Sequence, residues 1–186
     1  MSFLQKIKER LFPEPDMTHA VPVYTELHAI KREFVNFSTT YRVGILGYYT
    51  GPAEQAVLMD YHKKLESLGY DCDIVVFFDK KEHDPQLLLP HFDTSALNKK
   101  TGLPDSPKTD SFRVKKFDLL INLFLQPSKE LEHIAHHAVA RCRVAPHLPH
   151  LVAVSDLMVP CQPNDNLQQI IDLINTTLQL KPYVRP

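Results

Sequence analysis

The stretch from Arg42 to Asp79 constrains the fold more than any other part of this sequence. RVGILGYY (residues 42–49) is a compact apolar run with β-branched members, the pattern of a strand buried on both faces. Thr50, Gly51 and Pro52 follow, and proline suits a first helical turn, where its missing amide hydrogen has no intrahelical partner to lose. Glu54 then puts a carboxylate in that first turn. Ala56, Val57, Tyr61, Leu65 and Leu68 recur on a helical period, and Gly69 is a natural C-terminal stop. DCDIVVFFD (residues 71–79) reads as a second buried strand. Strand, amphipathic helix and strand make a βαβ unit, so the strands should run parallel with a right-handed crossover.

The alternation continues along the chain. FDLLINLFL is a third strand, Lys129 to Cys142 a helix, CRVAP a fourth strand and DLMVPC a fifth. Asn166 caps a closing helix, LQQIIDLINTTLQL, with Leu167, Ile170, Ile171, Ile174 and Leu178 on one side. Repeated β and α elements predict a three-layer, Rossmann-like or flavodoxin-like α/β domain. Its mainly parallel, five-stranded sheet would take the order 2-1-3-4-5. A chain of 186 residues supports one such core, so residues 41–181 are expected to form a single domain. Residues 1–40 would be an N-terminal helical extension and residues 182–186 a C-terminal tail.

Within that extension, Phe3, Leu4, Ile7 and Leu11 form one apolar stripe, with Lys6, Lys8 and Arg10 off it, until PEPD stops the helix. The stripe is read as docked on its own domain, with a protein partner or a membrane surface as the alternative. A second helix is expected from about Tyr24 to Phe37. Lys80 to Lys116 has several prolines and no long period, and a connection of this length is often functional. A short strand or hairpin is expected near Phe92 to Gly102. A helix should follow from Pro107, capped by Asp105 or Ser106. This segment is the second candidate surface for a protein partner.

Composition removes several function classes. A net charge of -1 exerts no global pull on nucleic acid, and no apolar run reaches the roughly 20 residues of a membrane span. Lys6, Lys8, Glu9 and Arg10 interrupt any secretion signal. Cys72, Cys142 and Cys161 are few, odd in number and far apart, which suits thiols in a reducing, cytoplasmic setting.

The most conspicuous chemical cluster is His133, His136 and His137. On a helical wheel these fall opposite Leu131, Ile134, Ala135, Ala138, Val139 and Cys142, so they should face water while the apolar side meets the sheet. His133 and His137 have the i, i+4 spacing of a metal pair, but Ile134 stands where the zincin motif needs glutamate. His147 and His150 would have to fold back to complete a site. No metal is expected. Gly44, Gly47 and Gly51 have the spacing G-x-x-G-x-x-x-G, which departs from the dinucleotide fingerprint. No nucleophile elbow, acid–base pair or Ser-His-Asp set can be picked out, and no cofactor is implied. The remaining candidate ligand site is positional, at the C-terminal ends of the first and third strands. It gathers Tyr48, Tyr49, Thr50 and Gly51 with Asp79, Asn122 and Gln126, with the 80–116 segment as a lid. Two functions stay open: a non-catalytic binding or adaptor module, slightly favoured, and a protein or enzyme for a nucleotide or phosphorylated metabolite.

Several phrases in order, VNFSTTYRVGILGYY, FFDKKE, LNKKTGLPDS, FDLLINLF, ARCRVAP and SDLMV, resemble a family of short, functionally uncharacterised bacterial α/β proteins. The resemblance spans roughly Val35 to Leu180 and implies a cytoplasmic Rossmann-like domain with a variable basic N-terminal helix. It implies no catalytic residues. FDLLINLF followed by HIAHHAVARCRVA is also similar to a strand-helix-strand of heptosyltransferase-type glycosyltransferase N-domains. That likeness covers one unit, without the second, nucleotide-sugar-binding domain of those enzymes, and implies shared architecture more than shared activity.

Overall fold

A computed structural model describes residues 30–81 and 84–184, so the N-terminal stripe lies outside the described residues. β1 (Arg42–Tyr48), α1 (Pro52–Ser67) and β2 (Asp71–Phe78) form the βαβ unit. β3 (His91–Asp93), α2 (Pro107–Val114), β4 (Lys116–Leu123), α3 (Lys129–His137), β5 (Val139–Pro146), β6 (Leu157–Val159) and α4 (Leu167–Thr177) follow. All six strands pair in parallel, in the order β3-β2-β1-β4-β5-β6. The five predicted strands keep their predicted relative order, and β3 adds a sixth outside β2.

Helices cover both faces. On one, Leu58 and Leu65 of α1 and Ile170 and Ile174 of α4 close over Ile45, Val76 and Ile121. On the other, Phe112 of α2 and Leu131 and Ile134 of α3 close over Leu46, Phe77 and Leu120. Gly44 and Gly47 serve this packing. A Cβ on Gly44 would stand 3.0 Å from Phe117 and Leu120, and one on Gly47 would stand 2.9 Å from Leu58. Two helix starts are capped as their sequence implies. Ser106 caps α2 and Asn166 caps α4, each in a reciprocal capping box, with Thr109 and Gln169 as the third helical residues.

Three expectations are corrected. α3 stops at His137 instead of running to Cys142, and β5 begins at Val139 instead of Cys142. The Arg143 guanidinium donates to the carbonyls of His136 and Ala138 at 2.7 and 2.8 Å, satisfying the end of the helix while the chain turns into the sheet. Residues 30–37, the described part of the helix predicted over 24–37, hold no α-helix, and a 3-10 turn, Phe37–Thr39, begins only at the last of them. They run along the open side of β5, where the Glu33 amide donates to the Arg141 carbonyl at 3.1 Å and Arg32 pairs with Asp156 at 2.9 Å. The fully buried Val35 and Phe37 then enter the core. The described residues of the 80–116 segment form no lid over the cavity at the end of β1. They build β3, a turn at Thr94–Ala96, an antiparallel bridge between Leu97 and Pro104, and α2.

Candidate functional site

β1 and β4 are neighbours, so the crevice expected at their C-terminal ends exists. It is a cavity of about 140 Å³ lined by Tyr48, Thr50, Glu54, Leu123, Leu125, Gln126 and Leu167. Ligand pockets run from about 300 to 1,000 Å³, so this one is too small for a nucleotide. Thr50 hydrogen-bonds Glu54 across the first turn of α1, which spends that hydroxyl and puts a carboxylate where an anion would sit. Gln126 is exposed at the rim. Gly51 precedes α1 in an extended conformation, with no atom within 4 Å of where a Cβ would be, so nothing there demands glycine.

The other expected residues point elsewhere. Tyr49 is 4% exposed, stands edge-on to Phe78 and donates its hydroxyl to Asp84 at 2.9 Å, so it is core. Asn122 is fully buried on the opposite face of the sheet, with its amide nitrogen 3.3 Å from the Val154 carbonyl. Asp79 is exposed beside Tyr48. Burial, with the Asp79 carboxylate adding to it, pushes the Tyr48 phenol up to about 12. That hydroxyl is neutral at physiological pH and cannot act as a base.

The histidines are less wet than a wheel suggests. His136 is exposed, but His133 and His137 are half-buried, with their rings 4.2 Å apart. Burial, then the neighbouring His137 and Arg113, lowers His133 to about 4. Arg113 Nη1 lies 3.4 Å from His133 Nε2, so a cation already occupies the side where a metal would approach. His150 instead meets the Phe124 carbonyl at 3.2 Å. Among the described residues no three His, Cys, Asp or Glu side chains are placed to share a metal ion, and no helix is long and apolar enough to cross a membrane. Burial raises the Cys72 and Cys142 thiols, which leaves them unreactive.

A second concavity had no signal in the sequence. β2 has eight residues, but β3 pairs only with Val76–Phe78, so Asp71–Val75 has no neighbouring strand on that side. Beside this open half-edge lies a groove of about 410 Å³. His62 of α1 and Leu89 and Pro90 wall one side, and Lys108, Ser111, Phe112 and Lys115, in and beside α2, wall the other. The chain before β3 is held off β2 by the buried Gln55. Its Nε2 donates to the Gln86 carbonyl at 2.7 Å, and its Oε1 accepts from the Leu88 and Leu89 amides at 2.6 and 3.3 Å. A further groove of about 590 Å³ lies between the C-terminal ends of α1 and α4, with Lys64, Asn175 and Lys181 on its walls.

Comparisons with known proteins follow the same lines. A family model described as a family of unknown function (DUF6913) matches residues 24–179, in keeping with the resemblance carried by the strand and loop phrases. No curated protein matches the sequence. Among solved structures, a glycosyl transferase family 9 protein from Veillonella parvula DSM 2008 is similar with a TM-score of 0.46 and 11% identity. That likeness covers 78% of this chain and 44% of the other, so the chain spans less than half of that protein's length. A similarity this distant carries nothing about activity.

Proposed function

The chain belongs to this family of unknown function, and from that premise we propose that it is a non-catalytic binding module that holds a protein partner against the 80–116 segment. One observation carries the reading. That long segment folds onto the edge of the sheet and, with β2, encloses a groove about three times the volume of the strand-end cavity (410 against 140 Å³). Catalysis has little support at the strand ends, where the phenol is neutral and the one hydroxyl is engaged by Glu54. Free thiols, one buried and two partly buried, agree with a cytoplasmic setting. The strand-end cavity supports a second, smaller reading. Tyr48, Thr50 and Gln126 converge there at a helix N-terminus, which suits a ligand of few atoms and excludes a dinucleotide.

The two readings separate by experiment. A photo-cross-linking amino acid in place of Ser111, in the groove wall, should give an adduct with a second protein in cells, and one in place of Gln126 should give none. A metabolite of few atoms that raises the melting temperature of the wild type, and not of a Thr50→Val variant, would replace the partner reading with the ligand reading.

A further inference from the structure

The walls of the groove leave its floor to the backbone of β2, and that backbone is half used. The Tyr49 amide donates to the Phe77 carbonyl at 2.9 Å on the β1 side, and the Val76 amide donates to the Pro90 carbonyl at 2.9 Å on the other. Backbone groups alternate sides along a strand. Those of Cys72 and Ile74, in register with Val76, therefore face the groove. His62 Nε2 donates to the Cys72 carbonyl at 2.9 Å. The Ile74 amide and carbonyl have no such partner among the described residues, and they lie between a Lys-bearing helix and an apolar loop. From these facts we infer that the open half of β2 is a strand-addition site, which takes an extended, acidic segment of the partner protein as a short extra strand in line with β3.

This rests on the reading of the 80–116 segment as a recognition surface and gives it a mode and a chemistry. Five open residues span roughly 16 Å at about 3.3 Å per residue, the length of an ordinary strand. A strand seated there would complete the hydrogen bonds of Ile74 and drop alternate side chains toward Phe112 on one face and Leu89 on the other. The rim is cationic. Lys115 pairs Asp73, and Lys108, whose ammonium donates to the His91 carbonyl at 2.7 Å, leaves the rim with one cation in excess. Leu88 and Val114, 71% and 48% exposed, flank the rim in sequence and extend it with apolar surface. An acidic residue between apolar ones matches that pattern. A second copy of the chain would instead set lysine rim against lysine rim, and like charges along an open edge oppose edge-to-edge pairing.

Amide hydrogen exchange on the full chain, with displayed random seven-residue peptides as probes, tests this. The Ile74 amide should exchange quickly at every protein concentration while those of Val75 and Val76 stay protected. Selected peptides should alternate apolar residues with Asp or Glu, and a bound peptide should slow the Ile74 amide. Lys108→Glu with Lys115→Glu should weaken those peptides at least tenfold and select Lys-bearing peptides in their place. An Ile74 amide already slow in dilute protein would mean that another part of this chain covers the edge. Protection that grows with concentration would mean that a second copy does. Either result, an unenriched library, or selected peptides indifferent to the charge reversal overturns the inference. A partner cross-linked at position 111 beside a protected Ile74 amide would leave the partner reading standing and remove only strand addition.

Discussion

Gln179 is the only residue other than glycine with a positive φ among those described, at +57°. It follows α4 in the position where glycine usually ends a helix. The Leu180 amide donates to the Asn175 carbonyl at 2.8 Å, and the Gln179 amide donates to the Thr176 carbonyl at 3.2 Å. That pair of bonds is the Schellman arrangement, whose left-handed residue costs a side chain about 1–2 kcal/mol. Gln179 is exposed, so its side chain returns little of that cost. Gln179→Gly should therefore stabilise the protein by about 0.5–1 kcal/mol, after the extra chain entropy that glycine loses on folding, and raise the melting temperature by roughly 2–3 °C. An unchanged or lower melting temperature would show that the glutamine makes a contact worth the strain. Gly44 and Gly47 show the reverse relation of residue to backbone. The absence of a side chain there admits Phe117, Leu120 and Leu58, so a glycine pattern that invites a nucleotide reading records packing.

At the scale of elements, β1, β2 and β4 are plain in the sequence because strands buried on both faces must be apolar throughout. The caps of α2 and α4 are equally plain, since Ser106 and Asn166 bring side-chain acceptors to otherwise orphaned amides. The end of α3 is not. Ala138, Val139 and Cys142 fit a helical stripe and a fully buried strand alike, and the decision comes from Arg143, which reaches back to the helix carbonyls. β3 has three residues, too few to show a period. Its place depends on Gln55, which looks like any polar residue on a helix and is 5% exposed. An edge groove defined by unpaired backbone has no residue signature at all. Tyr48, Thr50 and Gln126 line one cavity because position alone brings strand ends together, whereas the pleat turns Tyr49 and Asn122 into the core. Gln55→Leu should cost about 1–3 kcal/mol, since it leaves the Leu88 and Leu89 amides without their acceptor. Urea unfolding measures the loss. Faster amide exchange at Leu88 and Leu89 than in α1 and β2 would place the damage in the loop, and global loosening would show that Gln55 supports the whole domain.

Across the whole molecule, one ionic knot and one half-buried imidazole titrate in different windows. Asp118, on β4, accepts from the Tyr41 and Arg42 amides at 2.9 and 3.0 Å and from Arg141 at 2.9 Å, and Arg141 also holds Glu33. This knot ties the start of β1, two strands and the N-terminal run into one body. Burial works to raise the Asp118 carboxyl, but the Arg42 and Tyr41 amides and the Arg141 guanidinium outweigh it and hold the pKa below the ordinary 3.8. The folded state thus prefers the ionised form, and its stabilisation is present above the ordinary value and lost as the pH falls below it. His133 works at higher pH. Its folded value of about 4 lies under the ordinary 6.5, so the unfolded chain takes up that proton first. Stability should accordingly decline as the pH falls from about 6.5 to about 4, before the Asp118 loss begins. Changing His136, which is exposed, should leave that decline in place and shift stability by less than about 0.5 kcal/mol. His133→Gln should flatten the decline between pH 6.5 and 4 and leave the fall below pH 4, while Asp118→Asn should lower stability at pH 7 by about 1–3 kcal/mol and flatten only the lower limb. Urea midpoints measured at half-unit steps from pH 3 to pH 8 separate the two. A His133 variant that keeps the upper limb would show that the imidazole is solvated and that another group sets the acid response.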